Sequence, residues 1–475
     1  MDRGSAIRSY RRHRLIDPMQ HIMPTPITAP TDQPDPIRQR LLQAFETGHA
    51  DGLRIGGIAA EELAQRFGSP LYAYDAQVLR NTLAEVRHAL GPRVEVLFAL
   101  KANPNAAVAQ TLRLAGAGCE VASAGEILIA LKAGFSGAQM QFAGPGKHGR
   151  DIELAFEHGI SCLNIESHAE YEAILGMARA RGIRPRPGVA IRINPRQGLN
   201  GSRMQMGGGS KKFGVDSEHV SALVERILAD DGCAFRGLHV YAGTQSFDAD
   251  AWLANARALC ILANEIERDV RGASVATLNF GGGFGVALFK GDSQFDLEKA
   301  GAGLRALIAE DARPERRYFI EPGRYLAATC GVYLTRVLYA KESAGKRHLI
   351  VDGGMHHHAA AASLGSVIRR PYPFVLCRAV YEPADTEVTI GGVLCTPADE
   401  LAANLALPAA HAGDLLAILG SGAYGLTFSN VLFLSHPTPA EVLLDHGNAC
   451  VVRRRGNHED ALNGQVLPPD MERAG

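Results

Sequence analysis

The chain is 475 residues long, 46% hydrophobic, and carries a formal net charge of −1. At roughly 150 residues per domain, that length points to two or three domains with sizeable cores. Near-neutrality removes the bulk electrostatic case for nucleic acid or an anionic membrane as partner, and no run of about 18 apolar residues marks a membrane span.

The first 35 residues are Arg-rich early (Arg8, Arg11, Arg12, Arg14) and Pro/Thr-rich afterwards. No apolar stretch follows the basic one, so the pattern is not that of a secretory signal. It reads as a disordered extension, with Met19 and Met23 as alternative starts. Residues 36–69 form a lead-in whose apolar segment at 56–58 is expected to pack on the C-terminal part of the chain. From 70 to 325, short apolar runs alternate with stretches whose apolar residues recur at i, i+3 and i+4, such as 107–115, 126–133 and 219–228. The strand candidates are 94–100, 119–122, 140–143, 162–165, 189–193, 236–241, 277–280 and 317–320. Eight strand-then-helix repeats favour a (β/α)8 barrel over an open doubly wound sheet. From 326 to 455 the pattern becomes mostly β, with candidates at 332–339, 348–351, 374–380, 387–390, 415–419 and 441–445 and a short helical piece at 398–405. Residues 456–475 read as a flexible tail. The eight cysteines are scattered, without CxxC pairs or histidines at metal-ligand spacing. They behave as free thiols of a reducing compartment, which implies a cytoplasmic protein.

Barrels place chemistry at the C-terminal ends of their strands. The first candidate ends in Leu100-Lys101, a lysine at the mouth of an apolar strand. Partial desolvation there is expected to lower the amine pKa and favour Schiff-base chemistry. The sixth runs into His239-Val240-Tyr241-Ala242-Gly243-Thr244. Alternation sends His239 and Tyr241 to one side, and Thr244 offers a hydroxyl after a glycine. The seventh ends in Gly281-Gly282-Gly283-Phe284-Gly285, a run that brings backbone amides close to a phosphate. The eighth ends in Glu321-Pro322-Gly323-Arg324, whose carboxylate can hold a pyridine nitrogen protonated. In the second domain, Cys395-Thr396-Pro397-Ala398-Asp399 carries a thiol expected beside a helix N-terminus, and Gly422-Ala423-Tyr424-Gly425 is a small-residue turn presenting a phenol.

Together these segments, with Ser210–Gly214 as SKKFG and the stretch 439–442, resemble the pyridoxal-phosphate-dependent decarboxylases of the alanine-racemase-like barrel fold, the group of diaminopimelate and ornithine decarboxylases. The resemblance runs in order from about Pro70 to Val452. It implies that Lys101 carries pyridoxal 5'-phosphate and that Glu321 pairs with the pyridine nitrogen. Tyr241 would stack on the ring, and Thr244, Gly282, Gly283, Gly323, Arg324 and Tyr424 would hold the phosphate. Cys395, supplied by the second subunit of a homodimer, would return a proton after CO2 leaves. Tyr241 stands where the diaminopimelate enzymes have histidine. Thr396 stands where the family has an acidic residue for the substrate's distal amine, with Asp399 close by. Asp352-Gly353-Gly354-Met355-His356-His357-His358, the stretch through Arg369-Arg370, and Ser435-His436-Pro437 resemble the exosortase-associated and glutamyl-carrier-protein decarboxylase branch. Three consecutive histidines do not share a helix face, so they suggest no metal site, whereas Arg369 and Arg370 are candidates to clamp a substrate anion. The expected reaction is removal of an α-carboxylate from a small or acyl-carrier-protein-bound amino acid without a free distal amine. meso-Diaminopimelate decarboxylation, racemisation and non-catalytic cofactor binding remain the alternatives.

Overall fold

The computed structural model describes residues 35–45, 52–195, 202–205, 207–364 and 370–469. The extension at 1–34 and Arg369 lie outside these residues.

Eight parallel strands form the barrel: β2 (Val94–Ala99), β3 (Gly118–Val121), β4 (Met140–Ala143), β5 (Cys162–Ile165), β6 (Gly188–Asn194), β7 (Ala234–Val240), β8 (Thr277–Asn279) and β9 (Arg317–Ile320). Each pairs with the next in sequence, and β9 returns to β2 through Ile320 and Val96, which closes the sheet. These are the eight strands expected from sequence. β5 and β6 are buried at every position, as befits parallel strands covered on both faces. The intervening helices start on polar caps that the sequence supplies directly. Asn105, Ser123, Ser167, Asp248 and Asp296 each accept a backbone N–H of the first turn, which satisfies donors that have no partner within the helix.

The second domain is built on β1 (Leu71–Asp75), which lies ahead of the barrel in sequence yet belongs to the other sheet. It pairs antiparallel with β10 (Gly331–Ser343) and parallel with β16 (Ala440–Asp445). The sheet continues through β11 (Lys346–Val351), β13 (Thr386–Gly391) and β14 (Glu400–Leu407) on one side and β17 (Asn448–Arg453) on the other. β12 (Phe374–Leu376) and β15 (Leu415–Leu419) pair with each other, and β15 joins β10. The helix expected at 398–405 is instead the strand β14, paired antiparallel with β13. Its Ala/Leu content suits a helix, but an available sheet edge decides the conformation. Cys395 therefore does not sit at a helix N-terminus. The lead-in returns to this domain, since the Leu53 amide donates to Cys377 O at 2.7 Å.

The histidine run lies in a turn between β11 and β12, with His356, His357 and His358 all buried. Burial pushes their pKa values down from 6.5, to about 4, 3 and 3 respectively. The nearby His436 adds to this for His356, His356 for His357, and Arg324 for His358. Between the folded and unfolded values the unfolded chain binds more protons, so stability is fully present above pH 6.5 and falls on acidification below it. The expected result is a thermal midpoint that drops from about pH 6.5 towards 4, measured by circular dichroism. In His357→Gln the drop is shallower; an unchanged slope would count against a neutral buried His357.

Candidate active site

Lys101 closes the first barrel strand, on a 3₁₀ turn (Leu100–Ala102) at the barrel mouth. Its Nζ donates to Glu120 Oε2 at 2.7 Å, and the Glu120 side chain, at the end of the neighbouring β3, is 1% exposed. The expectation of a lowered amine pKa is reversed. Burial of the ammonium does pull its pKa down, but Glu120, then Tyr424, Tyr241 and Glu321, push it up, and the net shift is upward. Glu126, in the first turn of the helix Ala124–Lys132, is pushed up to about 7 by burial and by Glu120. The Lys101 Nζ lies 5.7 Å from the Tyr241 ring centroid, with Arg192 Cζ 5.9 Å from the same ring. Arg192 is fixed by Glu166 at 2.8 Å, and Glu166 also accepts the Gly214 amide of the SKKFG segment at 3.1 Å.

Glu321 follows β9 and is 2% exposed. One oxygen is 3.0 Å from His239 Nε2; the other accepts from Asn279 Nδ2 at 2.7 Å. Asn279 Nδ2 also reaches Gln141 Oε1 at 2.9 Å, while Asn279 Oδ1 takes the Gly281 amide at 2.9 Å. Burial on its own pushes the Glu321 carboxyl up, but His239, then Lys101 and the Asn279 hydrogen bond, hold it below the usual carboxylate range. The barrel interior thus holds this carboxylate between His239 and Asn279 in its charged form.

The glycine run gives a cradle that side chains would fill. Gly281 and Gly283 have φ of +66° and +92°. A Cβ on Gly282 would stand 2.2 Å from Glu321 O, and one on Gly283 2.2 Å from Gly243 O. The Tyr241 ring leans on this run, since a Cβ on Gly281 would meet Tyr241 Cδ2 at 3.0 Å. Thr244 hydrogen-bonds the Tyr241 side chain. Gly323 faces Ala99 and Ala102 on the Lys101 turn. Arg324 follows it, its Cζ 4.4 Å from the Tyr424 ring centroid, and its buried Nε has no partner among the described residues. The Tyr424 amide donates to Ala102 O at 2.7 Å. An amine, an ionised carboxylate, an aromatic wall and a glycine cradle with an unpaired guanidinium N–H fit pyridoxal phosphate in every part. When bound, that group supplies an electron sink for charge developing at the amino acid's Cα.

Lys101, Tyr241, Thr244, Gly282, Gly283, Glu321, Gly323, Arg324 and Tyr424 lie together around the barrel mouth. The second-domain residues are placed differently. Cys395 is exposed. Asp399, expected to touch substrate, has both oxygens committed to its own loop and to the histidine turn. Oδ1 accepts from the Met355 amide at 2.6 Å and Oδ2 from the Leu394 amide at 2.8 Å. Thr396 is the neutral residue left on that loop, half-buried. Arg370, expected to clamp a substrate, is paired with Asp292 at 3.0 Å and lies over Phe289; its charge is already answered within the barrel loops. Glu120, Asn279, Gln141 and Arg192 were not anticipated. Their one sequence signal is a polar residue inside an otherwise apolar strand run or at its end.

The family model described as pyridoxal-dependent decarboxylase, pyridoxal binding domain, matches residues 76–328. The L-glutamyl-[BtrI acyl-carrier protein] decarboxylase of Niallia circulans is 38% identical over 410 residues, covering 85% of this chain and 95% of that protein. The diaminopimelate decarboxylase of Bacillus subtilis is 30% identical, over 86% of this chain and 94% of its own. Among solved structures, the diaminopimelate decarboxylase of M. jannaschii in co-complex with L-lysine superposes with a TM-score of 0.81 at 26% identity, covering 88% of this chain and 97% of the other. With the closed barrel, the cofactor-shaped mouth and these matches in hand, the chain belongs to the pyridoxal-phosphate-dependent amino-acid decarboxylases.

Proposed function

We propose that this enzyme removes the α-carboxylate of an amino acid whose distal end carries no free ammonium, presented as a thioester on an acyl-carrier protein. The observation that carries this reading is the loop at 395–399. Its position for a distal-amine partner is Thr396, and its one acid, Asp399, is spent on the Met355 and Leu394 amides. A substrate ammonium placed there would be buried without a counter-charge, at a cost of about 3–5 kcal/mol. The similarity to the carrier-protein decarboxylase supports the same conclusion.

In this reading Lys101 holds the cofactor, Glu321 its ring nitrogen and Tyr241 its ring face. Thr244, Gly282, Gly283, Gly323, Arg324 and Tyr424 hold its phosphate. Cys395 returns the proton from the second subunit of a homodimer. The exposed Phe428, Leu432, Phe433 and Leu434 offer an apolar face for that association. Eight free cysteines suit a cytoplasmic setting. The competing reading, meso-diaminopimelate decarboxylation, is favoured by the 30% identity to enzymes of that name.

The test is CO2 release from glutamyl-acyl-carrier protein and from meso-diaminopimelate by the same purified enzyme. The expected preference for the carrier-bound substrate is about 100-fold or more in kcat/KM, the factor that an unpaired buried charge implies. Robust growth of a lysine auxotroph supplied with this gene would overturn it.

A further inference from the structure

Asn279 ends β8 in the wall of the barrel and is 2% exposed. Its carboxamide reaches both the glycine run and the buried carboxylate. Oδ1 accepts the Gly281 amide at 2.9 Å, two residues on, as in an Asx turn. Nδ2 donates to Glu321 Oε1 at 2.7 Å and to Gln141 Oε1, on β4, at 2.9 Å. Both amide hydrogens and the oxygen are therefore spent.

These partners allow one orientation of the amide. The Gly281 N–H can only donate, and an ionised Glu321 can only accept. Turned over, the side chain would set its oxygen against the carboxylate and its NH2 against the Gly281 N–H. The Gly281 peptide is held at its other end as well, since its carbonyl accepts the Glu321 amide at 2.8 Å. Asn279, Gly281 and Glu321 thus close a ring of hydrogen bonds, which Glu321 enters through both its backbone and its side chain. Gly281 sits at φ +66°, and a Cβ there would run into Val240 O, so the turn that opens the cradle needs glycine.

Neither a hydrocarbon nor an acid can replace this amide. A hydrocarbon would leave the Gly281 N–H and the Glu321 carboxylate each short of a buried partner. An acid would set a second carboxyl against Glu321, and such a pair keeps one proton between them rather than carry two charges. A carboxamide of this length offers an acceptor on one side and a donor on the other, and stays neutral.

We infer that Asn279 is a positioning residue that locks the carboxylate for the ring nitrogen and the first glycine of the phosphate cradle into one unit, so that cofactor affinity depends on it. The inference rests on the roles proposed for Glu321 and the glycine run.

The experiment measures Kd for pyridoxal phosphate on the full chain, stripped of cofactor and titrated again, with pyridoxal as the probe that lacks a phosphate. Asn279→Ala is expected to raise the Kd for pyridoxal phosphate about tenfold or more. Glu321→Gln keeps an acceptor for Asn279 and is expected to stay within about threefold of the parent. Asn279→Asp supplies the reading that a purely structural role would not move. While its carboxyl is protonated, it can accept from Gly281 and donate to Glu321. Its Kd is then expected within about threefold of the parent's near pH 6, and about tenfold or more above it near pH 9, where the shared proton leaves. His239 on β7, Lys101 after β2, Glu120 on β3 and Cys162 on β5 are the titratable groups that face this pair. The parent carries all of them, so the ratio of the two Kd values reports the added carboxyl. An unchanged Kd in Asn279→Ala, or a ratio for Asn279→Asp that stays flat across this range, overturns the inference. Should Asn279→Ala not fold, the Asn279→Asp series decides alone. Equal affinity of the parent for pyridoxal and for its phosphate would overturn the phosphate role of the glycine run, and with it the inference built on that role.

Discussion

Lys101→Ala yields a folded protein that no longer holds pyridoxal phosphate covalently. Borohydride treatment fixes no pyridoxyl group on the chain, the absorbance of the attached cofactor near the visible edge disappears, and turnover falls by roughly three orders of magnitude or more. Lys101 is the amine facing Tyr241 and Glu120 at the barrel mouth. Lys147, also buried, donates to Gly144 O and Asn164 O and pairs with Glu170, so it cannot substitute. Removing the ammonium leaves Glu120 buried without its partner. Burial already pushes that carboxyl up, so it takes up a proton rather than remaining as an unpaired charge. Glu120→Gln in the same background is therefore expected to recover part of any lost thermal midpoint. A borohydride-stable pyridoxyl label on a different lysine would remove Lys101 from its assigned place.

Glu321→Gln is the second large effect. The glutamine side chain fits the same space and can still meet Asn279, but it cannot carry the negative charge that His239 and Lys101 stabilise. Losing one partner of a buried charged pair costs about 3–5 kcal/mol. If that energy is expressed in the rate-determining step, kcat drops by about 10²- to 10⁴-fold. Cofactor content, measured after gel filtration, should change far less, because the glycine run and Arg324 do not depend on this charge. A variant with near-parental kcat would count against the role proposed for Glu321 at the ring nitrogen.

Much of this site could be read in the chain before any folding. Each barrel strand announces itself as a short apolar run between capped helices. The barrel rule then singles out the residue that follows each run, and it points to Lys101, Gly281–Gly283 and Glu321. Other features had no local signature. Glu120 is one acid at a strand end, and it becomes the partner of Lys101 only when β2 and β3 lie side by side. Asn279 and Gln141 are 138 residues apart in sequence and meet only because the sheet closes. The segment 398–405 has helical composition and is a strand because β13 offers an edge. Asp399 and Arg370 looked available for substrate. Their partners, Met355 and Leu394 for one and Asp292 for the other, come from loops whose approach the sequence does not encode locally.

The histidine run and the lysine show the division most sharply. Three adjacent histidines have no shared helix face, and their use appears only when the turn aims His357 at a carbonyl 80 residues away and His358 at a hydroxyl 63 residues away. The sequence by itself determined the barrel, the order of its strand-end residues and the cofactor chemistry they suit, because periodicity, capping and strand ends are local properties of the chain. The tertiary structure alone decided the sign of the Lys101 shift, the ionisation of Glu321 and which acids remain free for a substrate. Desolvation can be anticipated from an apolar run, but charge–charge energy depends on distance, and those distances are set by chain segments that meet only on folding.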